Sequence, residues 1–160
     1  MSKDSLTAGL EDYIEAIYIA EINQKSLKGV DIAKMMNISR ASVSEALSKL
    51  TAKGLVVYKS HGSINLTPRG VSEAESVYSK HKILKNFFES VLSIPPDVAE
   101  INACKIEHII SQNVINEIIK FTQYCNKYPE IIDKYRREKD NEANLSDREI
   151  FRSAALDGKD

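Results

Sequence analysis

The chain has 160 residues, 42% hydrophobic and 28% charged, with a formal net charge of −1. That is the make-up of one ordinary or two small water-soluble domains. No apolar run approaches the ~20 residues that span a bilayer, and the opening MSKDSLTAGLEDY lacks the apolar core of a signal peptide, so a cytoplasmic protein without a membrane partner is expected.

Residues 8–22 carry Leu10, Tyr13, Ile14, Ile17, Tyr18 and Ile22 at helical spacing. Asp12 and Glu15, three apart, share one edge of that helix. Taken alone, they read as a solvated acidic edge. Next comes GVDIAKMMNISRASVSEALSKLTAKGLVVYKSHGSINLTPRG. It predicts a short helix over 30–36 with Ile32, Ala33 and Met36 inward, then a tight break at Asn37-Ile38-Ser39. Ser39 is a good N-cap for a helix over 40–53, whose apolar stripe is Val43, Ala46, Leu47 and Leu50. Gly54 stops that helix. LVVYK and INLT read as short strands around the turn SHGS. Helix, turn, helix and hairpin in this order make a winged helix-turn-helix.

In that fold the second helix enters the DNA major groove. Arg40 can pair bidentately with guanine, and Ala41 offers a methyl contact to thymine. Ser39, Ser42 and Ser44 can bond phosphates or bases, while Lys49, and Lys59 on the wing, suit phosphates. Charge supports this use. Residues 25–90 hold eleven basic and five acidic residues, a net +6, which leaves −7 for the rest of the chain. A basic segment joined to an acidic one fits a phosphate-binding module attached to something else. A winged helix serving protein contacts, its lysines merely solvating it, is the plainer alternative.

Thr67-Pro68 starts a long helix to about Val91 that passes His81. Pro95-Pro96-Asp97 begins another, running through VAEINACKIEHII. There Cys104, Glu107 and His108 are i, i+3 and i+4, on one helical face, with Ile106, Ile109 and Ile110 on the other. Ser111 breaks and caps. A helix over 114–124 follows, with Val114, Ile115, Ile118, Ile119 and Phe121 on its apolar side. Residues 128–139 read as a charged helix and DNEAN (140–144) as a linker. Ser146 caps a last short helix with Ile150 and Phe151. The expected organisation is mainly α: a DNA-binding domain over 1–72, an all-helical dimerisation domain over 73–125 and a helical extension over 126–160.

Two cysteines, Cys104 and Cys125, make no disulfide framework in a reducing compartment; a thiol used as a ligand is the more natural role. From periodicity alone, a metal site stands level with a blander reading. In the latter, His81 and His108 are ordinary core or surface histidines and Cys104 is a small buried hydrophobe.

LEDYIEAIY, the helix-turn-helix stretch above, KHKILKNFF and ACKIEHIIS together resemble the diphtheria toxin repressor (DtxR/MntR) family over residues 8–124. The resemblance implies a homodimeric transcriptional repressor of metal-uptake genes that needs a divalent metal, iron(II) or manganese(II), to bind a palindromic operator. It also implies a metal between the two domains. Asp12 and Glu15 match ligands of the manganese branch, His81 matches a histidine ligand, and Glu107 and His108 match ligands of both branches. Cys104 stands where the iron branch has Cys and the manganese branch Glu. Lys85 stands where the iron branch has an ancillary glutamate, and the chain ends too early for the SH3-like third domain of longer members.

Carboxylate and imidazole ligands suit manganese(II) and iron(II), whereas a thiolate shifts preference toward iron(II), cobalt, nickel or zinc, so the last three are expected to bind in vitro. A metal-independent winged-helix regulator is the alternative. A metalloenzyme fits less well, because six candidate ligands leave little open coordination and no separate nucleophile or base stands out. The expected protein is not an enzyme.

Overall fold

The computed structural model describes residues 6–58 and 62–142. The winged helix-turn-helix is present and is followed by an all-helical half. Helix α1 (Ala8–Ile22) buries Tyr13, Ile14, Ile17 and Ala20. Ile22, expected on the same stripe, is half-exposed because the helix ends there. Helix α2 (Gly29–Met35) starts one residue earlier than its pattern suggests. The Asp31 carboxylate accepts the Lys28 backbone N–H at 2.9 Å and so fixes the first turn. Helix α3 (Arg40–Ala52) has the expected cap, with Ser39 Oγ accepting from Ser42 N at 3.0 Å. Gly54, at φ +69°, ends it in a conformation that a side chain would strain.

Strands β1 (Val56–Tyr58) and β2 (Ile64–Leu66) pair antiparallel with Val56 opposite Leu66, and Leu27 adds a single bridge to Ile64. Lys59 on the wing lies outside the described residues, as does the helix expected at Ser146 with Ile150 and Phe151. The head has one continuous core in which Ile14 and Ile17 of α1 meet Ile32, Val43, Leu47, Leu50, Leu55, Val56 and Ile64. In addition, Leu66 N donates to Glu21 Oε1 at 2.8 Å, so α1 is fastened to the wing as well as to the two helices.

Helix α4 (Pro68–Asn86) leaves the wing under tight control. Thr67 Oγ1 accepts from Gly70 N at 3.0 Å and donates to Gly54 O at 2.7 Å. A Cβ on Gly70 would sit 2.0 Å from the Leu55 carbonyl oxygen, so only glycine lets the helix pass there. The helix expected to reach Val91 does so, but its last stretch, Phe87–Val91, is a π turn. Ala74 on α4 belongs to the head core and Leu84 to a second, smaller core, which makes α4 the spine shared by both halves.

Helix α5 (Pro96–Ile106) is shorter than expected. Glu107 keeps helical angles (φ −54°, ψ −33°), but the chain then turns, with Ile109 N and Ile110 N both donating to Ile106 O at 3.0 Å. Glu107 and His108 therefore sit on a helix end rather than inside a helix. Helix α6 (Gln112–Lys127) buries Ile115, Thr122 and Cys125 and leaves Val114 and Phe121 half-exposed, so its apolar side does not wholly face this chain's own core. Helix α7 (Pro129–Glu142) runs into the stretch expected as a linker. Arg136 and Lys139 account for its docking: they donate to the carbonyl oxygens of Ser90, Leu92 and Ser93 at 2.9–3.2 Å. Those carbonyls lie at the end of the π turn and just beyond it, where helical partners run out. Among the described residues no helix is long and apolar enough to cross a membrane.

Candidate metal centre

The head and the helical half meet around Glu107, whose side chain is fully buried. Two groups of ligand-type side chains share it: Asp12, Glu107 and His108 form one, and Glu15, His81 and Glu107 the other, with ligand atoms in each group within 4.8 Å of one another. Asp12 and Glu15 come from α1, His81 from α4, and Glu107 and His108 from the end of α5. The carboxylate of Glu107 faces both ways. Its Oε2 accepts from His81 Nδ1 at 2.7 Å. Its Oε1 is buried and accepts no hydrogen bond from the described residues; His108 Nε2 stands 3.4 Å from it. A buried carboxylate oxygen without a donor is costly unless a cation faces it. His108 Nε2 is also 2.9 Å from Asp12 Oδ1, which completes the first group.

The electrostatics bear the mark of crowded negative charge. Burial, with the charge of Glu107 next, pushes Glu15 up to about 7. Two carboxylates at such separations repel by on the order of 3 kcal/mol in a medium of effective dielectric near 20, enough to keep a proton on one of them. His81 is raised, first by its hydrogen bond to Glu107. Burial pulls His108 down, but its hydrogen bond to Glu11 and the charges of Asp12 and Glu107 outweigh that, and the net direction is up. Protons on these groups thus supply the positive charge that the carboxylates require. The donor set, carboxylates and imidazoles, fits a divalent first-row metal.

Five of the six expected ligand residues are brought together. Cys104 is close enough to feel the cluster but belongs to neither group. It is exposed, and burial of its thiol, then the charges of Glu107, Asp12, Glu15 and Glu100, raise its pKa. Two carboxylates that the pattern did not single out also belong here. Glu11 accepts from His108 Nδ1 at 2.7 Å, and Glu100 lies 3.3 Å from His81 Nε2. Only Glu100 left a trace in the sequence, four residues before Cys104 and seven before Glu107 on the same helical face, and that spacing does not tell its role; Glu11 adjoins Asp12, a spacing that shares no face. Lys85 pairs with Glu100 at 2.6 Å.

On the head, Ser39, Arg40, Ala41, Ser42, Ser44 and Lys49 are all exposed, opposite the buried stripe of α3. Lys49 is paired with Glu45 at 2.7 Å. Arg40 and Ser44 line a groove of about 390 Å³ with Lys28, Gly29 and Tyr58, residues the pattern did not mark.

Comparison with known proteins identifies the family. Residues 5–64 match the family "Iron dependent repressor, N-terminal DNA binding domain", and residues 67–135 match "Iron dependent repressor, metal binding and dimerisation domain". An uncharacterized HTH-type transcriptional regulator of Methanocaldococcus jannaschii is 32% identical over 119 residues, covering 74% of this chain and 95% of the relative. The HTH-type transcriptional regulator MntR of Lysinibacillus sphaericus is 28% identical over 133 residues, covering 83% of this chain and 95% of MntR. The structure of the manganese regulator SloR superposes with a TM-score of 0.66 at 29% identity over 74% of this chain, which spans 55% of SloR. The chain belongs to the iron-dependent repressor, or DtxR/MntR, family of metal-dependent transcriptional regulators.

Proposed function

We propose that the chain is a homodimeric, cytoplasmic repressor of metal-uptake genes, without enzymatic activity, whose affinity for a palindromic operator is set by a divalent metal. Asp12, Glu15, His81, Glu107 and His108 hold the metal, and Cys104 joins them once its thiol loses a proton. The observation that carries this reading is Glu107: fully buried, with an oxygen that accepts no hydrogen bond from the described residues, and shared by two carboxylate–imidazole groups. Its two oxygens face different groups, so Glu107 would serve whichever of the two groups holds an ion. A bound ion supplies the positive charge that the cluster otherwise takes from protons.

The residues do the rest. Asp12 and Glu15 belong to a helix whose buried face is part of the head core, so fixing them fixes the reading head. Glu107 and His108 belong to the helical half. Relief of repulsion among Asp12, Glu15 and Glu107 narrows the range of head orientations, and the ordering cost of placing two heads on DNA falls accordingly. In a dimer the two α3 helices must lie about 34 Å apart or a multiple of it. Arg40, Ala41, Ser42 and Ser44 read or position the operator, with Ser39, Lys49 and Lys59 near phosphates. Iron(II) and manganese(II) both activate, and zinc, cobalt or nickel substitute in vitro.

Operator affinity measured with manganese(II), with iron(II) under anaerobic conditions, and with chelator tests this directly. Affinity should rise with metal and fall with chelator. Equal affinity in all three would sink the proposal in favour of a metal-independent regulator.

A further inference from the structure

Each histidine of the metal cluster is held between carboxylates on opposite ring nitrogens. His108 turns Nε2 toward Asp12 (2.9 Å) and Glu107 (3.4 Å), and Nδ1 toward Glu11 (2.7 Å). His81 turns Nδ1 toward Glu107 (2.7 Å) and Nε2 toward Glu100 (3.3 Å). An imidazole that ligates through one nitrogen carries its hydrogen on the other, and the partner of that N–H decides which nitrogen is free. We propose that Glu11 and Glu100 are positioning residues that select the metal-binding nitrogen, Nε2 for His108 and Nδ1 for His81. This rests on the metal-site reading above.

Neither carboxylate belongs to the ligand groups. Glu100 is turned from that role by Lys85, whose Nζ holds its second oxygen at 2.6 Å. Lys85 thus anchors Glu100 on α4 while Glu100 orients His81. Glu11 does more, because it sits on α1 and His108 follows α5. Its hydrogen bond runs from the head to the helical half with no metal needed. Exposure ranks the two: the Glu11 side chain is 22% exposed and that of Glu100 is 51%, so water replaces Glu100 more readily.

Two readouts on the full chain test this. In the zinc-loaded protein, two-bond proton–nitrogen spectra of the imidazoles should show His108 metallated at Nε2 and His81 at Nδ1; the opposite nitrogen on either ring overturns the assignment. If zinc leaves both rings unperturbed, the metal-site reading itself falls and takes this one with it. Cobalt(II) titration supplies the second readout. Glu11→Leu should weaken cobalt binding about 10–100-fold, the range for outer partners of ligating histidines, and Glu100→Leu should weaken it less. Glu11→Gln, whose amide oxygen still accepts the N–H, should recover most of the loss. Unchanged cobalt affinity in Glu11→Leu, or failure of Glu11→Gln to differ from it, overturns the proposal.

Discussion

The two halves of the molecule finish their cores differently. In the DNA-binding head, α1, α2, α3 and both strands contribute to one enclosed core, and the polar side of α3 is left to solvent. In the helical half one small cluster encloses Leu84, Ala103 and Ile115, and the isoleucines packed against it are only partly covered. Ile101, Val114, Phe121 and Tyr124 are each about half-exposed. A helical half with this much apolar surface outside is the face on which the proposed dimer would form. Where α1 meets the end of α5, the link is charged: His108 lies between Glu11 and Asp12. The joint between the halves therefore carries the titratable groups Glu11, Asp12, Glu107 and His108, while each half is built on apolar burial.

The largest expected effect comes from cutting the joint. Glu107→Ala removes the residue shared by both ligand groups and should cost more than the roughly 10–100-fold in metal affinity that an outer partner is worth. Metal-stimulated operator binding should vanish, with the dimer intact by sedimentation. Retention of the metal response in this variant would mean the site is misplaced.

A matched pair of substitutions separates the two cores. Leu50→Ala, at a position with no exposed surface, should lower the head's stability by about 2–5 kcal/mol and leave the dimer constant unchanged. Phe121→Asp should do the reverse. It should weaken dimerisation by at least about 2 kcal/mol, as loss of a central aromatic does, with little change in the melting of the head. Equal effects of both on dimer and head would erase the distinction between the halves. On the head's own outer face, Arg40→Ala should cost about 1–3 kcal/mol of discrimination. Equal weakening on operator and random DNA would sink the base-reading role.

The joint should also be visible in pH. Glu15 keeps its proton up to about 7 in the metal-free fold, against an ordinary 4.5. The folded state binds the extra proton in that window, so the stability from Glu15 is fully present below 4.5 and is lost as pH rises through about 7. His81 and His108 are also raised, so their contribution is present below 6.5 and is lost as pH rises through their raised values. All three changes weaken the metal-free fold on going from pH 5 to 8. Metal binding runs the other way, because protons must leave the ligands first. The rise in melting temperature on adding manganese(II) should grow from pH 6 to pH 8; a rise independent of pH would contradict the proton-for-metal exchange.

The head was legible because its boundaries are local chemistry. Ser39, Gly54 and Thr67-Pro68 each act on the turn they terminate, and the structure keeps all of them. The helical half was less legible. An apolar stripe records that Val114 and Phe121 avoid water, not whether the cover is this chain or a second one. The early end of α5 was hidden because residues 107–110, EHII, carry no breaking residue before Ser111. Of the cluster, the five side chains brought together were readable through the family resemblance. Glu11 and Glu100 were not, since their role depends on which histidine nitrogen a distant helix presents.

Cys104 is expected to give the smallest effect. Its thiol stands outside both ligand groups, and burial together with Glu107, Asp12, Glu15 and Glu100 disfavours the thiolate. Ligation requires that proton to leave, which a soft-leaning ion such as iron(II) or cobalt(II) rewards more than manganese(II) does. Cys104→Glu should therefore shift operator activation toward manganese(II) relative to iron(II) or cobalt(II). The shift should stay below about tenfold, or 1.4 kcal/mol, because the other ligands are unchanged. Anaerobic metal titrations of operator binding for both proteins measure it. A sulfur-to-cobalt charge-transfer band in the unmodified protein should accompany the shift and disappear in the variant. An unchanged metal ranking without that band would return Cys104 to the role of a packing residue beside the site.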